Sequence, residues 1–448
     1  MINQAIDRYH ALVDQANLKP SDFQGFTDQL KAARIMYGDR VSVEYLRAQF
    51  LSPEQEKTVR HACETIWSAL DKLSAEIPRS PRLKADLGLI PREQELADVD
   101  PGYPGFSLLA RFDSFMTENT LQFVELNAEC PAGPAYTEVM AEVFRQHPVM
   151  QAFEREYDVR SFNTRDKLLK VILETWEAWG GQGSPQVAIV DWAEVSTYHE
   201  FELCKAFFEG RGVKTLIEDP RKLTYDGDRL RASDGTPIDL VYRRVLTNEF
   251  IQRWDEVQPL FHAYRDGKVC VINPFRSKYL HKKMIFGLLT DGQNQSLFND
   301  EERGVIARHI PWTRKVRQGE TDYQGKAIDL PTFIREHRDR LVLKPNDDYG
   351  GKGIFIGWES SADEWDQALE KAIASDDYVV QEKVTVASAP FPTVREGVVY
   401  DQLNVDLDPF IWKGQVEGFL TRLSGTALCN VTSGGGIVPT FVISPRNN

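Results

Sequence analysis

LVLKPNDDYGGKGIFIG, residues 341–357, is the stretch from which the rest of the chain can be read. An apolar run of Leu341, Val342 and Leu343 ends in Lys344, two acids follow at Asp347 and Asp348, and Gly350, Gly351 and Gly353 lead into a second apolar run. Glycine lets backbone approach a ligand closely, so the N–H groups of such a loop can face phosphate oxygens while the lysine adds a point charge. The glycines alone would also suit a plain hairpin loop. Lys344 is harder to place there, because a lysine beside three buried apolar residues needs a partner for its charge, and a nucleotide phosphate would serve. The loop is not of the Walker type: Lys352 is followed by Gly353, and the glycine spacing differs.

Three further segments carry polar residues on strand-like backgrounds. In FVELNAECPAG, residues 123–133, Glu125 and Asn127 alternate on one strand face, and two oxygen ligands two residues apart suit Mg²⁺, which takes the rest of its octahedron from phosphates and water. A polar strand end would read the same way. Cys130 beside them is a small packing residue rather than a nucleophile, with no histidine near it in sequence. VVQEKV, residues 379–384, ends a strand with Gln381, Glu382 and Lys383. GFLTRLSGTALCNVTSGGG, residues 418–436, presents Arg422 and then Gly434, Gly435 and Gly436, a second loop fit for backbone donors around an anion.

Composition narrows the class. The 448 residues predict two to four packed domains, and 42% hydrophobic with 27% charged residues is ordinary for a soluble globular protein. A net charge of -14 without a basic stripe excludes nucleic acid as the expected partner. The first fifteen residues lack a basic cap and apolar run, and no stretch reaches the length of a membrane span, so no membrane partner and a cytoplasmic location are expected. The five cysteines are scattered without CxxC and the histidines without HExxH, which argues against structural disulfides and zinc.

Along the chain, residues 1–100 read as a helical N-terminal region. Ser52, Pro53 and Gln55 give a helix start, followed by Val59, Cys63, Ile66, Leu70 and Leu73 on one face. Residues 80–105, rich in proline, glycine and charge, read as a surface connection. RFDSFMTENTLQFVELN, residues 111–127, reads as two strands and a turn, and a helical stretch follows around residues 135–180. Between residues 186 and 245, QVAIVDW, FELCKAFFEG, VKTLIED and LVYRRV alternate strand, helix and strand, the βαβ pattern of a parallel sheet, with a hairpin bracketed by Asp226-Gly227 and Asp234-Gly235. No GxGxxG follows the first strand, so a dinucleotide site has no support. From residue 276 onward an antiparallel sheet with covering helices is expected.

Taken together, these segments resemble the circularly permuted ATP-grasp proteins, a family that includes glutathione synthetase-like and glutathionylspermidine synthase-like enzymes and many uncharacterised bacterial members. The resemblance spans roughly residues 103–442 and covers the helical N-terminus poorly. Its permuted order shows in Glu125 and Asn127, which precede Lys344 and Gln381 by more than two hundred residues. The fold class it implies is a multidomain α/β and α+β chain. Residues 101–185 and 276–448 would build the ATP-grasp fold, and residues 186–275 a parallel-sheet substrate domain.

The resemblance also implies a site. Arg111 of RFDSF would meet a substrate carboxylate with Asp113 beside it, and Glu125, Asn127 and Asp348 would be the metal ligands. Arg244 of YRR would face phosphates or substrate, and the first nucleotide lysine of HKKM would be Lys283 or Lys282. Lys344 would be the second, with Gly350, Gly351 and Gly353 as the loop over the phosphates. Gln381, Glu382, Lys383 and Val384 would form the adenine hinge, Arg422 would stabilise the acyl-phosphate region, and Ser433, Gly434 and Gly435 would border substrate. Asp348 departs from the glutamate of glutathione synthetase-like members. The activity implied is an ATP- and Mg²⁺-dependent carboxylate–amine ligase that releases ADP and phosphate, with small-molecule acid and amine substrates and a homodimer as an open assembly. The alternatives are an inactive ATP-binding regulatory or scaffold protein and a carboxylate kinase without amine transfer.

Overall fold

Leu341–Pro345 is an inner strand of a four-stranded antiparallel sheet, between Tyr378–Glu382 and Phe355–Ile356, with Thr313–Lys315 beyond Tyr378–Glu382. The computed structural model that shows this describes residues 1–347, 352–426 and 435–446. Period-2 alternation sends Leu341, Leu343 and Val380 into a core with Phe333, Ile334, Trp365 and Leu369 of the helices Leu330–Glu336 and Ala362–Ser375. Val342 and Lys344 are left on the opposite face, with Gln381 registered against Val342.

That face looks onto a larger antiparallel sheet. Its order is Gly436–Val438, Gln415–Ser424, Val398–Trp412, Leu109–Met116 and Leu121–Asn127, and Ala387–Val394 also pairs with Val398–Trp412. The two strands expected in residues 111–127 are therefore present and sit in one sheet with strands from the last third of the chain. Ala110, Phe112, Leu126, Leu407 and Phe419 pack into a core with Ile66, Leu70 and Leu73 of the helix Pro53–Glu76. Arg111, Asp113, Glu125 and Asn127 alternate with these apolar positions and share the other face, Asp113 registered with Glu125 and Arg111 with Asn127.

The expected βαβ unit is a four-stranded parallel sheet in the order Cys270–Ile272, Leu240–Arg243, Val187–Val190, Thr215–Glu218. Its strands are almost wholly apolar, as helices on both faces require. The hairpin between the aspartate-glycine turns is a three-stranded meander of Thr224–Tyr225, Leu230–Arg231 and Pro237–Ile238.

Three expectations need correction. Residues 80–105 are not a bare connection: helices Pro81–Leu87 and Pro91–Ala97 each begin on a proline, which at the first helical position costs no hydrogen bond. The N-terminal region holds strands besides helices, and Gln49–Leu51 runs parallel to Thr440–Pro445, joining it to the far end of the chain. The helical stretch around residues 135–180 is broken by the strand Tyr157–Arg160, which pairs with Thr440–Pro445 from the other side. Among the described residues no helix is long and apolar enough to cross a membrane.

The Pro53–Glu76 helix starts as its sequence requires. The Gln55 backbone N–H donates to Ser52 Oγ at 3.1 Å, and the Ser52 N–H donates to Gln55 Oε1 at 2.9 Å. Ser52→Ala should lower stability by about 1 kcal/mol. The check is a lower urea midpoint at unchanged slope.

Candidate functional site

Arg422, on Gln415–Ser424, is the hub of the larger sheet's polar face. Its guanidinium donates to Asp113 Oδ2 at 2.7 Å, lies 2.9 Å from Asp408 Oδ2, and pairs with Asp406. Arg111 donates from Nε to Asp113 Oδ1 at 3.0 Å and from Nη1 to the Ala132 carbonyl at 3.1 Å, while Asn127 Nδ2 donates to Asp113 Oδ1 at 2.9 Å. Asp406 and Asp408 were missed by the reading of the sequence. The available signal was the VDLD alternation, which sets both acids on one face of Val398–Trp412, and Asp406 is registered against Arg422.

Oxygens of Asp113, Asp406 and Asp408 lie within 4.8 Å of one another. Three buried carboxylates beside two arginines cannot all stay ionised cheaply, so the environment pushes them apart. Burial works to raise Asp113, but Arg111 and Arg422 outweigh it and hold its carboxyl at about 2. Burial, with Asp406 and Asp113 close by, drives Asp408 well above the usual carboxylate range against the pull of Arg422. Burial also raises Asp406. Both shifts run in the same direction, so the site disfavours ionisation of both carboxyls of the Asp406–Asp408 pair at once.

The smaller sheet supplies the opposing wall. Lys344 Nζ donates to Gln381 Oε1 at 2.7 Å and to the Val124 carbonyl at 3.4 Å, and Gln381 Nε2 donates to Thr313 Oγ1 at 3.1 Å. No carboxylate within ion-pair distance of Lys344 is present among the described residues. Burial, helped by the charge of Lys283 and opposed by Glu125, lowers its ammonium to about 8. Of the two neighbouring lysines, Lys283 meets Glu125 at 3.3 Å, whereas Lys282 turns into a buried network with Asp347 at 3.0 Å and Glu93 at 2.9 Å. Lys278 completes that network at 2.6 Å from Asp347, so the acid preceding the glycine loop is an anchor.

Between the sheets lies a cavity of about 680 Å³, a size that suits a nucleotide. Val342, Ile356, Trp358, Val384 and Val386 give it apolar walls, and Lys344, Gln381, Glu382 and Lys383 also border it. Glu382 Oε1 accepts from Tyr323 Oη at 2.7 Å, and the Lys383 ammonium sits 4.1 Å above the Trp358 ring. Gly353, at φ +69°, lies where an added Cβ would come within 2.9 Å of Pro345, so glycine is required there.

A second cavity, of about 440 Å³, opens on the far side of the same charged residues. Tyr37, Cys130, Asp191, Arg244 and Glu249 line it, and Asp113, Glu125 and Arg422 border both cavities. Arg244 donates from Nη1 to the Pro131 carbonyl at 2.9 Å and the Tyr242 hydroxyl at 3.0 Å, and its Nη2 lies 3.5 Å from Glu200. Burial pushes the Cys130 thiol up to about 12, in keeping with a packing residue.

The structure thus gathers Arg111, Asp113, Glu125, Asn127, Lys283, Lys344, Gln381, Glu382, Lys383, Val384 and Arg422 around one cleft, with Arg244 in its second chamber. Gly435 accepts from Arg40 Nη2 at 3.1 Å through its carbonyl. Asp348, Gly350, Gly351, Ser433 and Gly434 lie outside the described residues. Glu125 offers carboxylate oxygens and Asn127 an amide oxygen as ligands, and the buried Oδ1 of Asp406 has no hydrogen-bond partner among the described residues. Such a set fits a hard cation such as Mg²⁺ better than a thiophilic metal.

No protein-family model matches the chain. An uncharacterised protein of Synechocystis sp. is 25% identical over 249 residues, covering 51% of this chain and 47% of that protein. A Frankia casuarinae protein provisionally named a glutamate–cysteine ligase is 24% identical over 286 residues, covering 58% of this chain and 30% of that protein. The chain thus spans about half or less of the length of these curated relatives. The apo structure of a glutathione synthetase-like effector from Globodera pallida superposes with a TM-score of 0.63 at 12% identity, covering 94% of this chain and 96% of the effector. The mixed α/β fold described above is therefore similar to a glutathione synthetase-like fold.

Proposed function

We propose that the chain is an ATP- and Mg²⁺-dependent ligase of circularly permuted ATP-grasp architecture, joining a carboxylate to an amine through an acyl phosphate. The observation that carries the proposal is the meeting of two cavities at Asp113, Glu125 and Arg422: one between the two sheets, bordered by Lys344 and Lys383, the other reaching Asp191 and Arg244 of the parallel sheet. Kinship in fold with a glutathione synthetase-like protein and the name of the Frankia relative support it.

In this reading ATP lies between the sheets, adenine against Val342, Ile356 and Val384 and the phosphates toward Lys344 and Lys283. Glu125, with Asn127 and Asp348, would hold Mg²⁺, which when bound neutralises charge on the transferring phosphoryl group. Arg111 and Arg422 orient the substrate carboxylate for attack on the γ-phosphorus. Arg422 then faces the charge that builds in transfer, and the amine enters from the second chamber to displace phosphate. No protein nucleophile is needed, and catalysis is positioning and electrostatics.

The test is an ADP-release screen of amino acids and small peptides against a panel of amines, followed by oxygen-18-labelled carboxylate with the active pair. Label should pass to released phosphate, with ADP as the nucleotide product. AMP and pyrophosphate, or unlabelled phosphate, would overturn the mechanism, and ADP formed without amine incorporation would make the chain a carboxylate kinase. Glu125→Gln should weaken Mg²⁺-dependent ATP binding about tenfold by calorimetry, through loss of an anionic ligand.

A further inference from the structure

The second cavity reaches a place in the parallel sheet where ligands are commonly held. The chain leaves Val187–Val190 toward Thr215–Glu218 on one side and leaves Leu240–Arg243 toward Cys270–Ile272 on the other. Connections therefore diverge between these two central strands, which opens a crevice beyond their carboxyl ends. Asp191 and Arg244 are the residues that immediately follow the two strands, and both line the cavity.

Asp191 stands out among the acids there. It is only 8% exposed, and among the described residues its carboxyl accepts one hydrogen bond, from the neighbouring Trp192 N–H to Oδ1 at 2.8 Å. Among the described residues its other oxygen has neither hydrogen bond nor ion pair. The remaining acids are engaged. Glu200 accepts from the Gly133 and Ala135 N–H groups at 2.8 and 3.1 Å and neighbours Arg244. Glu194 pairs with Arg221 at 2.8 Å and Arg253 at 3.4 Å, and Glu249 accepts from Trp192 Nε1 at 2.9 Å. Burial outweighs the Trp192 N–H and the nearby charge of Arg244, which is not within ion-pair distance, and lifts Asp191 to about 7.

The chamber is also roofed. The hairpin of Met36–Tyr37 and Arg40–Val41 brings Tyr37 and Ser42 to its lining. The Gly38 N–H donates to the Ser196 carbonyl at 2.8 Å, and the Tyr136 hydroxyl donates to the Met36 carbonyl at 2.8 Å. A compact cation held there would be shielded from water, where one charged hydrogen bond to Asp191 counts for more.

We propose that this end of the cleft is a subsite for the free ammonium group of an amino-bearing substrate, with Asp191 as its counter-charge and the residue 36–42 hairpin as its roof. The assignment of that ammonium to the acyl donor or to the acceptor amine rests on the ligase reading above. An amino-acid or peptide donor would span from Arg111 and Arg422 to Asp191, whereas an acceptor would present its ammonium from the Asp191 side and pass a proton to the Asp191 carboxylate before attack.

The experiment is calorimetry on the full chain with Mg²⁺ and a non-hydrolysable ATP analogue at pH 8. The probes are L-alanine, L-glutamate and L-lysine, their N-acetyl derivatives, and butylamine and cadaverine. At least one ammonium-bearing probe should bind, and its acetylated or neutral counterpart should bind at least roughly tenfold more weakly, as should the probe itself to Asp191→Asn. Binding by amino acids but not alkylamines would assign the ammonium to the donor; binding by alkylamines would assign it to the acceptor. Absence of binding by every ammonium-bearing probe overturns the proposal, as does binding indifferent to acetylation or unchanged in Asp191→Asn. Affinity for the ATP analogue checks the folding of the variant, and if it misfolds the acetylation comparison on the wild type decides. Should the wild type bind amines through Asp191 and fail to bind the ATP analogue, the ligase reading falls and the subsite stands.

Discussion

Lys344→Met is expected to melt at a higher temperature than the wild type and, on the ligase reading proposed above, to turn over about 10²–10³-fold more slowly, the usual cost of deleting a charge aimed at a developing anion. The stability gain follows from what surrounds the ammonium in the free protein. Gln381 and a backbone carbonyl accept from it, and burial holds it at about 8. A depressed lysine is a folding cost, because the unfolded chain binds its proton more tightly. After allowance for its partial exposure to the cleft, that cost is on the order of 1–3 kcal/mol at neutral pH. Methionine matches the stem and removes the charge, and the buried Gln381 Oε1 that loses its donor offsets part of the gain.

The sign with pH is fixed by the direction of the shift. The cost is fully present below the folded value of about 8 and fades as pH rises toward the unfolded value of about 10.4. The melting-temperature advantage of the variant should therefore be largest near pH 7 and shrink by pH 9.5 in scanning calorimetry. A variant less stable than the wild type at pH 7 would mean that Lys344 already has a partner in the free protein.

What made Lys344 legible in the sequence was a conflict between levels, a charge at the end of an apolar run. Glu125, Asn127, Arg111 and Asp113 were legible for a related reason: alternation with Leu126, Phe112 and Ala110 puts them on one strand face, and the period of a strand is fixed. Asp406 and Asp408 alternate just as clearly, yet acids on a strand read first as solvated. Only the pairing of Val398–Trp412 with Gln415–Ser424, which buries them against Arg422, reveals otherwise. The choice between Lys282 and Lys283 was closed to the sequence because adjacent residues at the end of a short helix diverge, one into a buried network and one into the cleft. Tyr37 and the roof it forms had no local signal, since two-residue strands show no periodicity and their place is set by Ser196 and Tyr136, far along the chain. Prolines at positions 81 and 91 carried a signal that was read with the wrong sign.

The cluster around Arg422 leads to the second large effect. Arg422→Met should cost about 3–5 kcal/mol at pH 7, the range for leaving buried carboxylates without their cation. Turnover should fall below what the lost stability explains, because Arg422 borders both cavities. The acids then decide the pH response. In the wild type Asp113, held at about 2, contributes stability that is present above the unfolded carboxylate value of about 3.9 and is lost as pH falls toward 2. Without Arg422 only Arg111 faces three acids, so the folded values of Asp113, Asp406 and Asp408 rise and the folded state takes up protons well above pH 4. The gap in melting temperature between variant and wild type should therefore narrow as pH falls from 7 to 5. Adding Asp406→Asn removes one of the stranded charges at nearly unchanged volume, and the double variant should recover much of the lost stability at pH 7, a coupling measurable as a double-mutant cycle. Its turnover should stay low, since neutralising the cluster restores packing without returning a guanidinium to the junction of the cavities. A double variant no more stable than Arg422→Met, or a gap that does not close toward pH 5, would show that Arg422 supports the sheet by its stem rather than by its charge.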